Sequence, residues 1–267
     1  MKARPIVGIV LRQFYLLRGS PVRLFPMITW VAIDIVLWGF ITRYLNAVNG
    51  GRFDFVPTLL GAVLLWDFCT RIMQGVTTAF LEDVWSRNFL NLFASPLSIG
   101  EYIAGLVLSS IMTSVVGVIV MWLLATGVFH LQMFAVGLPL AAFFMVLFTF
   151  GIALGIFGTG VVLRFGPASE WLLWPLPALL SPFAAVFYPL ATLPPWMRAV
   201  AHLLPPAYVF EGMRGLLAGQ PLALGALLQG AALAVVELLL AAYFYTRVYR
   251  HAVRSGLLAR YAAESAA

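Results

Sequence analysis

The sequence predicts an all-α polytopic membrane protein, and three observations carry that prediction. Of 267 residues, 63% are hydrophobic and 10% are charged, against about 45–50% apolar and about 25% charged in soluble domains. A soluble fold of this length has too little interior to hide so much apolar surface. Mean hydropathy is +0.99, and the apolar residues gather into segments long enough to cross about 30 Å of hydrocarbon as helices. Those segments are too long for barrel strands, and backbone in lipid must satisfy its own hydrogen bonds, which leaves helices.

Residues 3–18, ARPIVGIVLRQFYLLR, come first. Ile6, Ile9, Val10, Phe14 and Leu17 fall near one helical face, and Arg4, Arg12 and Arg18 can reach lipid headgroups from its edges. This predicts an interfacial helix lying on the membrane surface within residues 1–24. The alternative, a solvated tail, does not account for the apolar periodicity. Six spans follow, at roughly 25–45, 56–79, 102–127, 134–163, 171–191 and 222–246. The chain reads as one transmembrane domain over 1–267, with a six-span core at 25–246 and a tail at 247–267. The polar insertions are too short to house a nucleotide-binding fold.

Charge placement orients the spans. The net charge is +6, and Lys2 is the one lysine. Lys2, Arg4, Arg12, Arg18, Arg23, Arg87, Arg164, Arg247, Arg250, Arg254 and Arg260 fall on one side. Arg43, Arg52, Arg198 and Arg214 fall on the other, and Arg71 lies inside a span. By the positive-inside rule both termini are cytoplasmic. The N-terminus lacks the short apolar core and small-residue site of a cleavable signal. Cys69 is the one cysteine, so no intrachain disulfide can form.

The cytoplasmic loop 80–101, FLEDVWSRNFLNLFASPLSIGE, holds Glu82, Asp83 and Arg87 beside Val84, Trp85, Phe89, Leu92 and Phe93 at near-helical spacing. That predicts a short amphipathic helix stopped by Ser95-Pro96. It is either an ordinary interfacial helix or a docking knob for a cytoplasmic partner, with aromatic anchors in a charged rim.

Ionisable groups inside the spans come next: Asp34, Asp67, Arg71 and Glu237, with Gln74 beyond Arg71. An uncompensated charge at mid-bilayer costs roughly 2.5–3.5 kcal/mol on insertion scales. Asp67 and Arg71 are spaced i, i+4 and can pair on one face. The set reads either as a clasp between helices, with Asp34 reaching Arg71, or as a polar stripe along a substrate path. In the fourth span, TFGIALGIFGTG places Gly151, Gly155 and Gly158 where helices can approach closely.

Between the fifth and sixth spans lies PLATLPPWMRAVAHLLPPAYVFEGMRGLLAG, residues 189–219. Pro194-Pro195 can open a helix and Pro205-Pro206 can stop it. A second helix at about 207–218 carries Tyr208 and the i, i+3 pair Glu211 and Arg214, and ends at Gly219. Neither is long enough to span. Two short helices carrying Trp196 and Arg198 as well predict a re-entrant or interfacial hairpin in the outer leaflet.

Catalytic signatures are missing from the sequence. Lys2 cannot serve a Walker A loop, there is no HExxH and no cysteine/histidine cluster, and His130, His202 and His251 are far apart. An intramembrane enzyme therefore has no acid/base or metal constellation to work with. A self-sufficient channel or ion-coupled carrier using Asp34, Asp67 and Glu237 stays open.

The pattern P-L-x-x-L-P-x-W, then L-P-P-x-Y, then E-x-x-R-x-L-L-x-G resembles the C-terminal signature of ABC-2 type permeases. The resemblance extends to the interfacial helix, the six spans, and the Ser95–Ser98 S-P-L-S with Glu101 behind it. It implies the membrane subunit of a bacterial inner-membrane exporter, not an enzyme. Such a subunit is a homodimer bound to two copies of a separate ATP-binding subunit. ATP and Mg²⁺ sit on that partner, and this chain binds no cofactor, metal or nucleic acid. Glu82, Asp83, Trp85, Arg87, Phe89 and Phe93 would then couple to the ATP-binding subunit. Asp34, Asp67, Arg71 and Gln74 would line the path or its polar network, and Trp196, Arg198, Tyr208, Glu211 and Arg214 its outer gate. The implied substrate is hydrophobic, lipid-linked or glycan-type.

Overall fold

A computed structural model describes residues 3–50, 56–86, 92, 97–131 and 137–255. Among them there is no strand. The first helix, α1, spans Ala3–Gly19. Ser20 breaks the chain, and α2 runs Pro21–Val48 with proline in its first turn, where no donor is needed. A π-turn at Val56–Leu60 feeds α3, Gly61–Trp85. Ser98 and Glu101 form a capping box that opens α4, Ile99–Phe129. Helix α5 covers Leu138–Phe165.

After α5 the chain breaks up. A 3₁₀ turn at Pro167–Leu172 leads to the short α6, Leu176–Leu180, and then to a second 3₁₀ turn at Leu190–Thr192. The hairpin expected from the proline pairs is α7, Pro195–Ala201, and α8, Pro205–Leu217. Helix α9, Leu224–Ser255, is the last element.

Among the described residues, five helices are long and apolar enough to cross a membrane: Ile28–Val48, Val56–Trp85, Ile99–Phe129, Leu138–Phe165 and Leu224–Ser255. They answer to five of the six expected spans. The expected fifth span, 171–191, is not a continuous helix, and the expectation is corrected there. Pro175, Pro177, Pro182 and Pro189 each remove a backbone donor and crowd the preceding turn, so the passage is made of short turns. Its ends nonetheless lie at opposite ends of α3. Glu170 accepts a hydrogen bond from Trp85 at the C-terminus of α3. Leu190 donates to Glu211 on α8, which packs beside the Val56–Leu60 turn that precedes α3. The segment crosses the bundle without being helical throughout.

Helix α5 is central and packs on both α3 and α9. Its glycines act as the sequence predicts. A Cβ on Gly151 would lie 2.7 Å from the Cys69 carbonyl oxygen, and one on Gly155 would lie 2.7 Å from the Val76 Cβ. Gly158 faces Leu173 of the broken passage. Lipid tails are as apolar as side chains, so this close contact, and not water exclusion, holds the helices together. Phe80, Phe143, Phe150 and Phe210 fill the space around these crossings and are fully buried.

Candidate functional site

Three polar clusters occupy three levels of the bundle. The first lies at the C-terminal end of α3. Asp83 is wholly buried there. Its carboxylate forms an ion pair with Arg12 of α1 and accepts a 2.7 Å hydrogen bond from the hydroxyl of Tyr102 on α4. Gln13, also buried, points its amide at the Ala79 carbonyl, 3.5 Å away. One carboxylate thus ties together α1, α3 and α4. Arg12 was expected to reach lipid headgroups, and that expectation is corrected: its guanidinium turns inward because an unpaired Asp83 in this apolar setting would be far costlier.

Two residues beyond Asp83 the character reverses. The Trp85 ring is about half exposed, and its Nε1 donates to Glu170 Oε2 over 2.9 Å. Glu82 is half-buried. Of the residues assigned to coupling, Asp83 cannot meet a partner directly, because no part of its side chain reaches the surface. Arg87, Phe89 and Phe93 lie outside the described residues. Ser98 and Glu101 close the loop with their capping box: Glu101 N–H donates to Ser98 Oγ at 3.3 Å, and Ser98 N–H donates to Glu101 Oε2 at 3.0 Å.

The second cluster is about midway along the apolar stretch that ends in α3. Arg71 donates to Asp67 over 3.0 Å, as the i, i+4 spacing predicts, and both side chains are largely shielded. Gly117 of α4 lies so close that a Cβ there would be 3.0 Å from the Arg71 Cδ. Asp34 of α2 is within electrostatic range of both charges. Gln74 is half-buried on α3, three residues after Arg71. Glu237 sits on α9, which packs on α5 and α8, and it is within electrostatic range of Cys69 on α3.

The third cluster supports the α7–α8 hairpin. Glu211 Oε1 accepts from the Leu190 N–H and from Arg214 Nη2, the latter at 3.1 Å. Arg214 Nη1 donates to the Val186 carbonyl at 3.2 Å. The pair thus supplies partners to backbone that the prolines left out of any helix. Burial lowers the Arg214 guanidinium from its ordinary value, and Glu211 opposes that shift. Arg198 donates to the carbonyls of Ala191 and Leu193, and Tyr208 to that of His202. Trp196 and Leu203 project outward from α7 and the turn behind it, both more than 60% exposed.

Sequence reading gathered Asp67 with Arg71 and Glu211 with Arg214 because each pair sits on one helix. It missed Arg12 with Asp83 and Tyr102, since no local spacing brings residues from three helices together. The one available signal was the polar Arg12-Gln13 doublet interrupting an apolar helix. For Glu101 the signal was in plain view, as the capping-box pattern S-x-x-E.

The ABC-2 type transporter family model matches residues 9–218, from within α1 to the residue after α8. No curated protein matches the chain. The match covers well over half of the sequence, and the chain belongs to the ABC-2 type transporter family, the permease component of ABC transporters.

Proposed function

We propose that this ABC-2 family member is the permease of an ATP-driven exporter in a bacterial inner membrane, with both termini cytoplasmic. It works as a homodimer with two copies of a separate ATP-binding subunit. ATP and Mg²⁺ bind that partner, and this chain carries no cofactor. The substrate class is hydrophobic, lipid-linked or glycan-type, in keeping with an apolar bundle that has few intramembrane charges.

The observation that carries the reading is the contrast at the end of α3. Trp85 is exposed while Asp83, two residues earlier, is locked to α1 and α4. A force on the exposed end reaches three helices at once, because the clasp leaves α3 no independent path. Glu82, Trp85, Arg87, Phe89 and Phe93 are the contact residues in this proposal, and Asp83 is the anchor behind them.

The dimer is supported by the broken crossing. Irregular backbone at membrane depth is tolerated where protein or a water-filled cavity covers it. Trp171, Leu172 and Leu179 are each more than 60% exposed along it. A second copy laid over this passage covers those side chains and the proline-freed carbonyls, and puts the path along the dimer axis. Asp34, Asp67, Arg71 and Gln74 then form the polar network beside it, with Trp196, Arg198 and Tyr208 at its outer mouth.

Purification from native membranes in mild detergent, followed by mass spectrometry of the companions, tests the proposal. One ATP-binding protein per copy of this chain is expected. A chain that emerges alone and moves solute without ATP would overturn it.

A further inference from the structure

Helix α9 carries a surface that the family match does not reach, since that match ends at residue 218. Its buried face is Gly230, Ala234, Ala241, Tyr245, Val248 and Ala252. On the opposite face Val236, Leu239, Leu240 and Tyr243 are all at least half exposed. At 100° per residue that face continues without a break into Arg247, Arg250 and Arg254, with His251 at its edge. All four are exposed and together frame a recess of about 330 Å³. Arg247 stacks its guanidinium 5.8 Å from the Tyr243 ring centre, at the junction of the two halves. The ion pairs among the described residues use Arg12, Arg71 and Arg214, so no described carboxylate neutralises the three arginines.

We propose that the C-terminal end of α9 binds an anionic phospholipid, with Arg247, Arg250, His251 and Arg254 taking its phosphate and the Val236–Tyr243 face taking an acyl chain. The dimensions fit. From Val236 to Arg247 the helix rises about 16 Å, close to half of a 30 Å hydrocarbon layer. The cations therefore stand at headgroup level when the apolar face lies against one leaflet. Basic clusters next to a transmembrane helix attract anionic lipid by charge, and guanidinium groups match phosphate oxygens in pairs. A docked soluble protein would need the patch to project beyond the membrane, whereas Arg247 is one turn from the aromatic that marks the interface.

The test uses the full chain, with whatever subunit co-purifies, in phosphatidylcholine vesicles containing traces of spin-labelled phosphatidylglycerol or spin-labelled phosphatidylcholine. Electron paramagnetic resonance reads the motionally restricted fraction of each. The wild type should prefer phosphatidylglycerol about threefold or more, and R247Q/R250Q/R254Q should lower that preference at least about twofold. R247K/R250K/R254K should keep most of it, because the charge is retained. All three positions are exposed on a helix whose other face does the packing, so the variants should insert and melt as the wild type does. An unchanged preference in the glutamine variant overturns the proposal. So does displacement by excess inorganic phosphate at constant ionic strength, which would mark a soluble-anion site. Loss of a protein companion with the lipid preference intact would make the surface a protein interface and overturn it equally.

Discussion

The clasp at one end of the bundle and the pair at the other are built from the same chemistry and serve different ends. Arg12 and Asp83 come from separate helices whose own backbones are already satisfied, and their carboxylate is wholly buried. Glu211 and Arg214 come from one helix, three residues apart, and the Glu211 side chain is 37% exposed. The first pair joins helices. The second completes the hydrogen bonding of a segment that four prolines prevent from becoming a helix. An ion pair in a membrane protein is therefore understood by asking what it holds, and only then by its distance.

The comparison breaks most readily at Asp83. Asp83→Ala leaves Arg12 facing an apolar interior and should cost about 3–5 kcal/mol, whereas Arg12→Met with Asp83→Leu should recover most of that loss. Thermal melts of the detergent-solubilised chain check this, and a double variant as weak as the single would show that the pair itself is needed. In the second cluster, Arg71→Ala should cost roughly 2.5–3.5 kcal/mol by stranding Asp67, and Asp67→Asn with Arg71→Gln should cost less. The same melts decide it: a double variant no more stable than the worse single one excludes the clasp.

Smaller effects sharpen the contrast. Glu211→Ala removes an acceptor from the Leu190 N–H and a partner from Arg214, worth about 1–3 kcal/mol. Its signature is local: hydrogen exchange should rise at residues 186–190 and stay unchanged along α3. Trp85→Ala removes a half-exposed ring and its hydrogen bond to Glu170 and should cost about 1 kcal/mol. It should weaken co-purification of the ATP-binding subunit, and undiminished co-purification would remove Trp85 from the contact.

Much of the architecture was legible because membrane helices leave a one-dimensional trace. Apolar length placed α2 to α5 and α9, glycine spacing marked α5 as a helix that others approach closely, and the proline pairs placed α7 and α8. The fifth span misled for a physical reason. Apolar length says that a segment enters lipid, while Pro175, Pro177 and Pro182 decide its backbone, and a hydropathy window weighs only the first. The site was legible where it was local, at Asp67–Arg71 and Glu211–Arg214. It was hidden where it was tertiary, at Arg12–Asp83–Tyr102, because those partners are 71 and 19 residues apart (83 − 12 and 102 − 83) and meet only when three helices have packed.

In the proposed coupling, force on the α3 end passes through the Arg12–Asp83 clasp to the helices it joins and on to the hairpin of α7 and α8. A spin label at Leu203→Cys, in the complex with the ATP-binding subunit, would report the distance between the hairpins of two copies by pulsed electron resonance. With Arg12 and Asp83 in place, adding ATP and Mg²⁺ should shift that distance. In Arg12→Met/Asp83→Leu, which should still bind the subunit, the shift should be lost or much reduced. An equal ATP-dependent shift in the clasp-free protein would contradict the account.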